Sequence, residues 1–159
     1  MNSAQHHQRV TVKVEDSIAH VALARPDKLN GLDLEGTKEL LAAARQIRRD
    51  RSIRAVVLSG EGDAFCAGLD FAAVGKQPAA VARAFAKVPR LQRLNTFQRV
   101  CWVWRELPVP VVAVLHGHCF GGGLQLALAC DFRIATPDCE LSVMEAKWGL
   151  IPDMTGSVS

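Results

Sequence analysis

The sequence has no Cys-x-x-Cys pair, although it carries five cysteines, at 66, 101, 119, 130 and 139. That spacing excludes the common zinc-site patterns, and the apolar neighbours argue for buried thiols in a reducing compartment rather than disulfides. No apolar run reaches the ~20 residues that a membrane-spanning helix needs, so no membrane partner is expected. The opening MNSAQHHQRV lacks the apolar segment of a secretory signal, which predicts a cytoplasmic chain. No block of like charge occurs either. Nineteen Lys and Arg face 16 Asp and Glu, a net charge of +3 spread along the chain, and no nucleic-acid partner is expected. The densest basic run, 45–54, contains Asp50 and reads as a solvated helix end. Gly-x-Gly-x-x-Gly and Gly-Lys-Ser/Thr are both missing, which sets aside the dinucleotide and P-loop fingerprints. With no repeat and no interdomain linker, the 159 residues, 49% hydrophobic, read as a disordered leader over 1–9 and one core domain over 10–159. His6 and His7 fall in that leader and are not expected to bind metal.

What is present is organised around residues 110–130, PVVAVLHGHCFGGGLQLALAC. The β-branched run 111–115 predicts a fully buried strand. Residues 116–120 read as a turn. Gly121, Gly122 and Gly123 follow, and the apolar, helix-forming run 124–130 predicts a buried helix. Three glycines at a helix start cost on the order of 1 kcal/mol each relative to alanine. Two readings account for them. Bare N–H groups at the positive end of the helix dipole make a site for a phosphate or a developing oxyanion. Alternatively, the glycines let the helix pack tightly on a neighbour.

The rest of the chain alternates strand and helix. Val10, Val12 and Val14 alternate with polar residues, and 18–23 gives a second strand after a turn at 15–17. Asp33 is expected to cap a helix over 34–49 whose apolar stripe is Leu40, Leu41, Ala44 and Ile47. A short buried strand is expected at 55–58; strand, helix, strand implies parallel pairing. Residues 64–70 form a loop, 72–89 are Ala- and basic-rich, and 91–106 read as a helix stopped by Pro108 and Pro110. Strands are expected at 132–135 and 139–143, with a helical turn at 144–148.

Four blocks resemble the crotonase superfamily, the enoyl-CoA hydratase/isomerase fold: RPDKLNGLD at 25–33, GDAFCAGLDF at 62–71, HGHCFGGGLQLALACDFRIA at 116–135 and SVMEAKWGLIPDMTG at 142–156. They occur in the family's order and span nearly the whole chain. The resemblance implies an α/β, crotonase-like spiral of ββα units whose C-terminal helical region is missing, so that the chain is a truncated product or a fragment. It implies an acyl-CoA thioester as substrate, with no cofactor beyond the substrate's own coenzyme A, no metal, and a homotrimer or dimer of trimers. The thioester carbonyl would lie between the backbone N–H groups of Leu69 and Gly122 and pass through an enolate. Lys28, Leu29, Ala67, Gly68, Asp70, Gly121 and Gly123 would complete the substrate-binding surface, with the backbone of Ala67 near the adenine and Lys28 facing CoA phosphates.

One departure matters. Family hydratases carry a glutamate where this chain has Gln125, and a second one twenty residues on, which here is Glu145. Hydration needs water held between two carboxyls, one acting as base and one as acid; a glutamine cannot exchange that proton. Asp153, eight residues after Glu145, resembles the spacing in the family's dienoyl-CoA isomerases, though those carry aspartate at the Gln125 position. Glu145, Gln125 and Asp153 are therefore the expected catalytic residues, and isomerase-type proton transfer stands beside hydration. A non-catalytic acyl-CoA-binding or assembly subunit, or an inactive truncated product, is the alternative; RNA binding is weaker given the even charge. His116 and His118 are read as packing or hydrogen-bonding residues and Asp131 as a turn-holder.

Overall fold

The computed structural model describes residues 8–86 and 94–159. The expected leader lies largely outside them, as do His6, His7 and part of the basic 72–89 stretch. Arg9, expected in the leader, is tied down: its backbone N–H donates to Glu39 Oε2 at 2.7 Å, and its Nε to Asp33 Oδ2 at 3.1 Å.

β1 (Val10–Glu15) and β2 (Ile18–Leu23) form an antiparallel hairpin with Val10 opposite Leu23. Asp16 and Ser17 both have positive φ, 48° and 65°, as a two-residue turn matched to strand twist requires. Helix α1 (Leu34–Arg49) then crosses over to β3 (Ala55–Gly60), which pairs parallel with β2. Asp33 caps α1 as expected, its carboxylate accepting from the Gly36 N–H at 2.6 Å. The chain continues through α2 (Phe71–Val74), α3 (Pro78–Phe85) and α4 (Thr96–Trp102). α4 is shorter than the helix expected over 91–106. It begins at a reciprocal cap, in which Gln98 N donates to Asn95 Oδ1 and Asn95 N to Gln98 Oε1. Residues 91–93 lie outside the described chain.

β4 (Val111–Leu115) pairs parallel with β3 and with β6 (Phe132–Ala135), giving a five-stranded sheet ordered β1-β2-β3-β4-β6. Asp131 holds its turn as expected, accepting from the Val111 N–H at 2.8 Å. Two expectations are corrected here. β4 was expected to be buried on both faces, yet only Val111, Ala113 and Leu115 are buried while Val112 and Val114 are half-buried. Residues 118–120, expected in a turn, form strand β5 (His118–Phe120), which pairs parallel with β7 (Glu140–Ser142). Its three residues find their partner more than twenty positions away, which no local pattern reports. Helix α5 (Gly122–Leu128) opens inside the glycine run, and a 3₁₀ turn spans Met144–Trp148.

The core lies between the sheet and α1, whose buried Leu40, Ala44 and Ile47 pack toward β1, β2 and α4, with Trp104, Phe65 and Phe97 as its bulkiest members. Apolar side chains remain exposed on β6, β7 and the segment after them, Phe132, Ile134, Leu141 and Ile151 among them. Among the described residues no helix is long and apolar enough to cross a membrane.

The five cysteines are free, and all but the half-buried Cys139 are buried. Burial pushes the thiols of Cys66, Cys119 and Cys130 up to about 12 and that of Cys101 well above its ordinary range. At pH 8 only about 10⁻⁴ of a thiol with such a pKa is ionised. A chromogenic disulfide reagent should therefore titrate Cys139 alone in the native chain and all five after denaturation. Fast reaction of three or more native thiols would contradict the burial described.

Candidate active site

Two glycine-bearing segments meet at the carboxyl end of β4. The first, residues 64–70, is held on both sides by backbone bonds. Cys66 N donates to His118 O at 3.0 Å and Phe120 N to Cys66 O at 2.9 Å, which binds the segment to β5. On its other side Leu32 N donates to Gly68 O at 2.7 Å and Asp70 N to Leu32 O at 3.0 Å. Arg25 reinforces this side, donating to Gly31 O at 2.7 Å and Asp70 Oδ2 at 3.1 Å, with Asp33 Oδ2 at 3.3 Å. Burial pushes the Asp70 carboxyl up, but the Ala73 N–H, Arg25 and Lys28 together outweigh it and hold the group below its ordinary value.

The second segment is the start of α5. Gly68 has φ +95°, and a side chain there would meet Phe120 O at 3.0 Å and Gly122 N at 3.4 Å, so the two segments are in direct apposition. Among the described residues the backbone N–H groups of Leu69 and Gly122 donate no hydrogen bond. The Gly122 group belongs to the first helical turn, where no intrahelical acceptor exists. The three glycines divide between the two readings of the sequence. A side chain at Gly123 would lie 2.5 Å from Cys66 O, which is tight packing against backbone. A side chain at Gly122 would meet only side-chain ends, Met154 Sδ at 3.0 Å and Leu32 Cδ1 at 3.6 Å.

Glu145, on the 3₁₀ turn, lies against Gly121, whose missing side chain would come within 3.3 Å of Oε1. Gln125 Nε2 donates to Glu145 Oε1 at 2.6 Å, and Gly156 N donates to Gln125 Oε1 at 3.0 Å. Glu145 Oε2 is buried without a hydrogen-bond partner among the described residues.

These groups line one cavity of about 410 Å³. It brings together Ala67, Gly68, Leu69, Gly121, Gly122, Gln125, Glu145 and Asp153 from the residues singled out in the sequence. Lys28, Leu29, Asp70 and Gly123 do not line it. Lys28 is exposed with its charge felt at Asp70, Leu29 O accepts from Ala67 N at 2.9 Å, and Asp70 caps α2. Sequence reasoning missed the apolar wall: Phe71, Phe97, Trp148, Leu150, Ile151 and Met154. Phe71 and Trp148 touch, ring centroids 5.8 Å apart, although both are more than half exposed. Only their bulk among small and polar neighbours could have marked them. A larger groove of about 840 Å³ runs between α1, α4 and residues 155–158, and none of the singled-out residues line it. Among the described residues no three His, Cys, Asp or Glu side chains gather as a metal site. The arrangement has two free N–H donors, a carboxylate with one uncommitted oxygen and an apolar wall. It can polarise a carbonyl and move a proton beside it.

Residues 13–159 match the family model described as enoyl-CoA hydratase/isomerase. The chain is 34% identical over 140 residues to a mouse mitochondrial Delta(3,5)-Delta(2,4)-dienoyl-CoA isomerase, covering 86% of this chain and 43% of the relative. It is 32% identical over 151 residues to an (E)-benzylidenesuccinyl-CoA hydratase of Thauera aromatica, covering 93% and 55%. Among solved structures, an enoyl-CoA hydratase from Bacillus anthracis superposes with a TM-score of 0.83 at 31% identity, covering 95% of this chain and 56% of that one. The chain thus spans about half the length of the relatives it matches.

Proposed function

The chain belongs to the enoyl-CoA hydratase/isomerase family, and on that premise we propose that its cavity takes an unsaturated acyl-CoA and shifts a double bond by proton transfer. The thioester carbonyl accepts from the Leu69 and Gly122 N–H groups, which stabilise the enolate formed when a C–H proton leaves. Two such donors at a developing oxyanion are worth several kcal/mol, about 3 for each. Glu145 takes the proton, its electron pair passing into the thioester enolate; the proton returns to another carbon of the same conjugated system. Asp153, on the same cavity wall, assists at the distal carbon.

The observation that carries isomerisation over hydration is the 2.6 Å contact between Gln125 and Glu145. It occupies the position where a hydratase would hold water between two carboxyls, and the amide cannot trade protons with that water. The exposed apolar side chains of β6 and β7 support the expected trimer or dimer of trimers. A non-catalytic acyl-CoA-binding subunit predicts binding with no turnover.

The test is a comparison in D₂O. A 3,5-dienoyl-CoA should isomerise with deuterium entering the product, while crotonyl-CoA should hydrate at least about 10²-fold more slowly. Gln125→Glu should raise hydration. Wild-type hydration that outpaces isomerisation would overturn the proposal, and binding of crotonyl-CoA by calorimetry without any turnover would favour the non-catalytic alternative.

A further inference from the structure

Gln125 is 3% exposed, so both ends of its amide need partners inside the protein. The Gly156 N–H can only donate, so the end it touches at 3.0 Å is the amide oxygen. The orientation of the amide is thereby set, and its NH₂ faces Glu145 Oε1 at 2.6 Å. A reversed amide would put N–H against N–H at one end and oxygen against carboxylate at the other. Gly156 contributes a second constraint. A side chain there would lie 2.7 Å from Gln125 Cγ and 3.1 Å from Oε1, so only glycine leaves the Gln125 chain where it is.

We infer that Gln125 is a positioning residue, locked by the Gly156 N–H, whose amide holds Glu145 Oε1 and so fixes the carboxylate that takes the substrate proton. This rests on the proton-transfer reading of the site. It reassigns Gln125 from the catalytic group to its support and gives a role to Gly156, which does not line the cavity. It also couples the base to the segment that carries Asp153 and Met154, two other walls of the same cavity. Oε2 has no competing donor among the described residues, so the carboxylate carries no second hydrogen bond that the reaction must break.

The test uses Gly156→Ala and Gln125→Leu in the full chain, read two ways. In the ¹⁵N-labelled wild type, the Gln125 side-chain proton donated to Glu145 should resonate far downfield, as a short charge-assisted bond requires. In Gly156→Ala it should move upfield, although Gly156 does not touch Glu145. In the kinetics, each variant should lower kcat by about 10²-fold with KM little changed, because the base is displaced while binding is kept. The double variant should be no worse than Gln125→Leu alone, since the two changes cut one relay. A Gln125 resonance unmoved in Gly156→Ala overturns the relay whatever the activity. A moved resonance with unchanged kcat reduces it to a structural bond and overturns the positioning role. A resonance that moves in Gly156→Ala, beside a wild type that turns over no unsaturated acyl-CoA, keeps the relay and refutes the function on which it rests. Should Gly156→Ala fold poorly, loss of Gly156 amide protection in Gln125→Leu reads the same bond from the other end.

Discussion

Glu145→Gln should lower turnover of a dienoyl-CoA by about 10²–10⁴-fold, the usual contribution of a general acid–base group, and should leave the thermal melt unchanged or raised. The substitution is nearly isosteric. Its amide oxygen can accept the Gln125 bond now made at 2.6 Å by Oε1. Its amide nitrogen takes the place of Oε2, which is buried with no partner among the described residues. A charge confined there is costly, so a neutral group at the same position relieves the fold. The two readouts moving apart, activity lost and stability held, is the mark of a residue kept for chemistry. An activity left within about threefold of wild type would remove Glu145 from the mechanism, since a general base contributes far more than that. A melting temperature lowered together with activity would place Glu145 in the packing of the 3₁₀ turn instead.

The sequence showed the scaffold better than the fine structure of the site. The positions of strands β1 to β4, helix α1 and its Asp33 cap follow local rules: alternation in β1, short apolar runs in β3 and β4, a buried stripe at helical spacing, a side chain that accepts from the first turn. β5 does not. Three residues with a partner in β7 have no period of their own, and the flanking glycine at 117 makes them look like a turn. That glycine is required by φ +54° and by Asp63 O, which a side chain at 117 would overlap, so the turn residue sits just outside the strand. The start of α5 went against propensity for the same kind of reason. Helix formers begin at Leu124, but the helix begins at Gly122, because the close approach of Gly123 to the Cys66 backbone outweighs the cost of glycine there. At the site, the spacing from Gln125 to Glu145 was legible through the family resemblance. Their direct contact was not, because it depends on a third partner, the Gly156 N–H, with no side chain to announce it.

Gly122→Val and Gly123→Ala, adjacent changes in one helical turn, should fail in opposite ways. Gly122 faces the cavity, and the atoms nearest a new Cβ are Met154 Sδ at 3.0 Å, Met154 Cε at 3.5 Å and Leu32 Cδ1 at 3.6 Å. These are ends of flexible side chains that can shift, and its φ needs no glycine, so the protein should fold. A branched side chain there stands where the thioester carbonyl must reach the Gly122 N–H. Losing one oxyanion donor costs about 3 kcal/mol of transition-state stabilisation, roughly 10²–10³-fold in kcat. Gly123 faces Cys66, whose carbonyl oxygen and Cβ lie 2.5 and 2.6 Å from a new Cβ. The oxygen belongs to the backbone that ties residues 64–70 to β5, so it can yield only by loosening that tie. Overpacking of this kind costs about 1–3 kcal/mol, a fall in Tm of roughly 3–10 °C for a domain of this size. The measurement is a melt beside a turnover assay for each variant, with rates taken per folded molecule. Gly122→Val should melt near wild type and be inactive; Gly123→Ala should melt early and retain activity in its folded fraction. If Gly122→Val keeps full activity per folded molecule, the Gly122 N–H holds no oxyanion, and the first turn of α5 is glycine for packing alone.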